Sequence, residues 1–126
     1  VGTKTILGSL LLLSALANIG TVFADDSAVT TMANIVMKLN HYPSDDDKIK
    51  LEQIAKSTDS DAAEQVIASA VLNIKHQPTS SDKQKLTEMS KDTALPESIR
   101  TLAGVVSRIN HKASAADNQK LKGLTP

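Results

Sequence analysis

LNHYPSDDDKIKL (Leu39–Leu51) is followed 35 residues later by IKHQPTSSDKQKL (Ile74–Leu86) and, after 35 more, by INHKASAADNQKL (Ile109–Leu121). The fold turns on whether this is one ligand site written three times or the corner of a structural repeat. Aligned without a gap, Val36–Lys56 and Val71–Lys91 agree at eight of 21 positions, among them His41/His76, Pro43/Pro78, Asp47/Asp82 and Leu51/Leu86. Chance gives about one or two matches, so the repeat is real. The third copy keeps Val106, His111, Asp117, Lys120 and Leu121 and has Ala113 in place of the proline.

Each motif is preceded by apolar residues at helical spacing. They are Met32, Ile35, Val36 and Leu39, then Ile67, Ala70, Val71 and Ile74, then Leu102, Val105, Val106 and Ile109. Positions i, i+3, i+4 and i+7 lie on one helix face, so each run buries a stripe. Ala33, Ala68 and Ala103 hold one equivalent place and point to close helix contact. After each motif a second helix buries Leu51 and Ile54, Leu86 and Met89, or Leu121 and Leu124.

Start signals agree with this reading. Ser44, Thr79 and Ser114 stand three residues before Asp47, Asp82 and Asp117, the spacing of an N-cap with a capping-box-like acid. Asp61 or Ser60 with Glu64 caps the second copy, and Pro96 suits a first helical position. The pattern predicts six helices in an all-α fold, near 26–40, 45–56, 61–75, 80–91, 96–110 and 115–123. They are expected as three tandem hairpins of about 35 residues (25–56, 57–91 and 92–126), packed as a compact bundle or short solenoid. The period is one residue longer than that of tetratricopeptide repeats, and their Trp, Gly and Tyr signature is missing, so no family is assigned.

Residues 1–24 read differently. Lys4 precedes an apolar run from Ile6 to Ala17, and the stretch ends in Val22-Phe23-Ala24 before Asp25. This is the pattern of a secretory signal peptide cleaved after Ala24. A retained membrane anchor is the rival, but Ser9, Ser14, Asn18 and Thr21 interrupt a run that needs ~20 apolar residues to span. The expected location is the periplasm or the cell exterior, with residues 25–126 as one domain. There is no cysteine, so there is neither a disulfide nor a lipidated thiol.

Residues 25–126 carry 13 Lys plus Arg against 14 Asp plus Glu. That balance gives no field to draw in nucleic acid or an anionic bilayer. Tyr42 is their one aromatic side chain, which argues against stacking on bases or sugars.

Three histidines raise a metal-site reading at His41, His76 and His111. Equivalent residues of stacked hairpins, however, lie ~8–10 Å apart, too far to share an ion. The expected assignment is therefore structural, with no metal or cofactor. The corner comprises His41, Pro43, Ser44 and Asp47, then His76, Pro78, Thr79 and Asp82, then His111, Ser114 and Asp117. Each imidazole is expected to meet orphan carbonyls at a helix C-terminus.

Asp45-Asp46-Asp47 lacks the alternating ligands, central Gly and terminal Glu of a calcium loop, and reads as an acidic first turn. Lys50, Lys85 and Lys120 form an equivalent set that could face a polyanion, but Asp47, Asp82 and Asp117 stand three residues earlier to neutralise it. No catalytic constellation is found: no Cys nucleophile, no GxSxG, no HExxH and no phosphate loop. The leading functional expectation is a non-catalytic module that binds another protein or itself, with Leu121 and Leu124 leaving the C-terminal end unsealed. The alternatives are a His-dependent metal-binding or pH-responsive protein, and an envelope stress chaperone.

Overall fold

The computed structural model describes residues 28–126; the expected signal peptide, 1–24, lies outside them. The described residues are all-helical. The helices are α1 (28–38), α2 (Asp45–Lys56), α3 (Ala62–Leu72), α4 (Ser80–Lys91), α5 (Glu97–Ser107) and α6 (Ala115–Lys122). None is long and apolar enough to cross a membrane.

The apolar stripes converge on one core. Met32, Ile35, Val36, Ile67, Ala70, Val71, Ile74, Leu102, Val105 and Val106 are essentially without exposure. Leu51, Leu86 and Leu121 join them from the second helix of each unit. Ala33, Ala68 and Ala103 are also fully buried. A larger side chain there has no space without moving a neighbouring helix.

The cap residues act locally. The Ser44, Thr79 and Ser114 hydroxyls accept from the backbone N–H of Asp47, Asp82 and Asp117 at 3.2, 3.1 and 3.1 Å. Each satisfies one orphan donor of its helix start. Asp61 caps α3, where the Glu64 carboxylate accepts from the Asp61 N–H at 2.8 Å. Pro96 sits one place earlier than expected, as the N-cap of α5 rather than its first residue.

Three expectations are corrected. The first helix of each unit ends two or three residues early, at 38, 72 and 107, because the chain leaves helical geometry before the histidine. The expected hairpin pairing also changes. α2 lies along α3 and α4 along α5, whereas contact of α3 with α4 is sparse. The polar turns at 57–61 and 92–96 fold the chain back on itself, so the closest pairing crosses the expected boundaries at 56/57 and 91/92. Third, the C-terminal end is not open at Leu121, which is fully buried, and Leu124 packs against the core. Leu124, Thr125 and Pro126 share a surface hollow with Val29 and Thr30 of α1, bringing the last helix beside the first.

Candidate metal centre

Each corner is built the same way. Residues 40 and 42, 75 and 77, and 110 and 112 form isolated antiparallel bridges around the intervening histidine. His41, His76 and His111 take positive φ of 73°, 72° and 71°, and no other described non-glycine residue does so. The left-handed region costs an L-residue roughly 1–2 kcal/mol. Glycine occupies it without that cost.

The left-handed turn points each histidine backbone at the next corner. His76 N–H donates to His41 C=O, His111 N–H to His76 C=O, and His41 N–H to His111 C=O, all at 2.6 Å. The three bonds close a ring. It joins the first copy directly to the third, a contact that no open stack permits.

The side chains follow the backbone. Imidazole centroids are 4.9, 4.8 and 5.0 Å apart for His41–His76, His41–His111 and His76–His111, in edge-to-face arrangements. Their ligand nitrogens all lie within 4.8 Å of one another, and the His76 and His111 Nδ1 atoms are 3.2 Å apart. Two nitrogens bound to one tetrahedral zinc at ~2.0–2.1 Å stand roughly 3.3 Å apart. Small side-chain rotations therefore bring the set to ligand spacing. The expected separation of ~8–10 Å does not hold, because closure places equivalent residues around a common centre instead of along a stack. The imidazoles lie past the helix ends and face one another.

His41 is half-buried, while His76 and His111 are exposed, so one side of the cluster opens to solvent. Gln77 donates to Asn110 at 3.4 Å near the rim. No carboxylate joins the cluster, and among the described residues no other group of three possible ligands occurs. The donor set is thus three imidazoles with open positions, which suits zinc, copper or nickel better than calcium or magnesium.

The remaining candidate residues lie away from this centre. Asp45 and Asp46 are exposed in the first turn of α2. Asp47, Asp82 and Asp117 instead reach back across their corners to equivalent positions at the end of the preceding helix. Asp47 meets Lys38 at 3.4 Å, Asp82 accepts from Asn73 at 3.2 Å, and Asp117 takes Arg108 at 2.7 and 3.2 Å. The Arg108 hydrogen bonds hold the Asp117 carboxyl below the usual carboxylate range. Lys50 and Lys120 stand in separate grooves. Only Lys120 approaches its acid, at 4.0 Å from Asp117.

Pro43, Pro78 and Ala113 are buried beneath the corners. Comparison with protein-family models, curated proteins and solved structures finds no match to this chain.

Proposed function

We propose that this chain is a small exported helical-repeat protein, closed about its three corners, that binds a divalent transition-metal ion through His41, His76 and His111. The observation that carries the reading is the convergence of three imidazoles, one from each copy, with ligand atoms within 4.8 Å. Each histidine takes a left-handed conformation that glycine would hold without steric cost, so the repeated choice of histidine favours a role for the ring nitrogens. The protein's part is non-catalytic binding, in the periplasm or outside the cell, consistent with the leader-like pattern of residues 1–24.

Zinc titration followed by thermal melting at pH 7.5 tests the proposal. Free zinc at a hundred times the dissociation constant stabilises the folded chain by ~2.7 kcal/mol. For a domain of this size that raises Tm by roughly 10 °C or more. Ligation needs neutral imidazole, so the gain should fade as pH falls. His76→Asn is the diagnostic variant, because Asn tolerates positive φ yet supplies no imidazole. It should fold and lose the zinc response. An unchanged Tm in the wild-type chain with zinc, copper and nickel alike rejects the metal reading.

A second reading, contact with another protein or a second copy, is favoured by a different observation. Tyr42 and Ile49 are the exposed large apolar side chains, at 60% and 58% exposure. Their counterparts are Gln77 and Gln84 in the second copy and Lys112 and Gln119 in the third. The fold therefore does not require apolar residues at those places. Sedimentation of wild type and a Tyr42→Gln/Ile49→Gln variant at high concentration tests self-association; identical monomeric behaviour removes that form of the reading.

A further inference from the structure

Both arginines of the chain, Arg100 and Arg108, and both glycines of residues 25–126, Gly104 and Gly123, line one groove. It runs between α5 and α6, beside the end of α4, with a volume of about 790 Å³. Equivalent positions in the other copies hold none of these residue types. Arg100 corresponds to Gln65 and Thr30, Arg108 to Asn73 and Lys38, Gly104 to Ser69 and Asn34, and Gly123 to Glu88 and Gln53. The repeat thus serves as an internal control. Whatever the fold requires at these places is met twice without arginine or glycine.

The substitutions act together. A Cβ on Gly104 would stand 3.3 Å from Arg108 Nη1 and 3.5 Å from Ser90 Cβ, so glycine leaves room for the guanidinium to lie close over α5. Arg108 spends Nε and Nη2 on Asp117, which fixes its plane. Its Nη1 is left on the Gly104 side of the groove. Arg100 spends only Nε, on Leu95 C=O at 3.1 Å. Lys120 lines the same space, and Ser98 and Thr101 add hydroxyl donors. Against three cations stand Glu97 on the wall and the buried Asp117, leaving one positive charge in excess.

We infer that this groove is a binding site for a small organic oxyanion, a phosphate or carboxylate carried on a compact body. The unspent donors of Arg108, whose plane is fixed, and of Arg100 suit the oxygens of either group. The volume is of the size that holds small ligands and exceeds what a bare phosphate fills. The inference does not depend on the metal reading, since the groove shares no residue with the histidine ring.

The test is NMR titration of the full chain at 0.15 M ionic strength with 3-phosphoglycerate, citrate and inorganic phosphate. Two arginines give two Nε–H signals, and Gly104 and Gly123 amides report the floor and the end. Saturable shifts at these four signals with a dissociation constant below ~1 mM are expected from 3-phosphoglycerate or citrate, and the stronger of the two identifies the group. Inorganic phosphate should bind at least tenfold more weakly. Arg100→Gln and Gly104→Ser install the second copy's residues, and each should weaken binding about tenfold while the remaining spectrum stays folded. Lys50→Gln, in the corresponding groove of the first copy, should change nothing. The inference is overturned if neither organic ligand shifts these signals saturably, if inorganic phosphate binds as well as they do, or if Arg100→Gln binds unchanged.

Discussion

The corners of the three copies and the groove of the third copy follow opposite rules. At the corners, histidine φ values differ by only 2°, and the ring hydrogen bonds are equal at 2.6 Å. In the α5–α6 groove, four positions differ in kind from both other copies. A closed ring explains the first rule: each corner bonds to the other two, so a change in one strains all three. The outer groove lies off the ring of backbone bonds, and there the copies diverge. Within this molecule, sameness marks what closes the fold, and difference marks what one copy does alone.

The largest effect is expected in the core. Leu86 has no exposure and is the one fully buried side chain that α4 contributes. Leu86→Ala should cost ~2–5 kcal/mol in urea melts, through lost burial and a residual cavity. Lys85→Ala beside it, on the exposed face, should cost under ~0.5 kcal/mol. Because the copies share one core, the same substitution at Leu51 or Leu121 should cost a similar amount. If loss at Leu121 were slight, the third unit would not be part of a single cooperative structure.

Ala68→Leu comes next. Ala68 is fully buried on α3, the helix that touches α2, α4 and α5. Overpacking there should cost ~1–3 kcal/mol. It should also disturb the ring, seen as a shift of the His41 and His111 imidazole signals. A destabilised protein with unmoved histidine signals would uncouple the helix packing from the corners.

The helices and their buried stripes were legible because period and burial are the same fact for an amphipathic helix. Ile35, Val71 and Val106 stand in the sequence where they stand in the core. The caps were legible for a similar reason: Ser44 and Asp47 act within a single turn. Closure was not. An angle between units is a sum of many small packing choices, and no single residue encodes it. The stack and the ring use the same apolar positions, yet they place His41 and His111 at opposite ends or in contact. One clue was present. A histidine two residues beyond the last apolar position recurred three times, where glycine or asparagine is the ordinary residue for leaving a helix.

The smallest effect isolates the difference between two corners. Asp117 is buried and takes a bidentate arginine, whereas Asp82 is half-exposed and takes one amide hydrogen bond from Asn73. Arg108 hydrogen bonding, the largest influence, lowers the Asp117 folded pKa. An unfolded aspartate titrates near ~3.9. A lowered folded pKa contributes stability that is complete above the unfolded value and is lost as pH falls through the folded one. Between about pH 5 and pH 3 the unfolded chain therefore binds the proton first, and stability falls. Arg108→Asn copies the second corner into the third, and should make this part of the acid loss shallower. Asn73→Arg does the reverse and should steepen it. Since Arg108 is half-exposed, solvent screening limits each change to ~0.5–1 kcal/mol. Urea melts of the three proteins at pH 6, 4 and 3 resolve that range. If Asn73→Arg leaves the acid dependence unaltered, burial of the carboxylate rather than the identity of its partner separates the two corners.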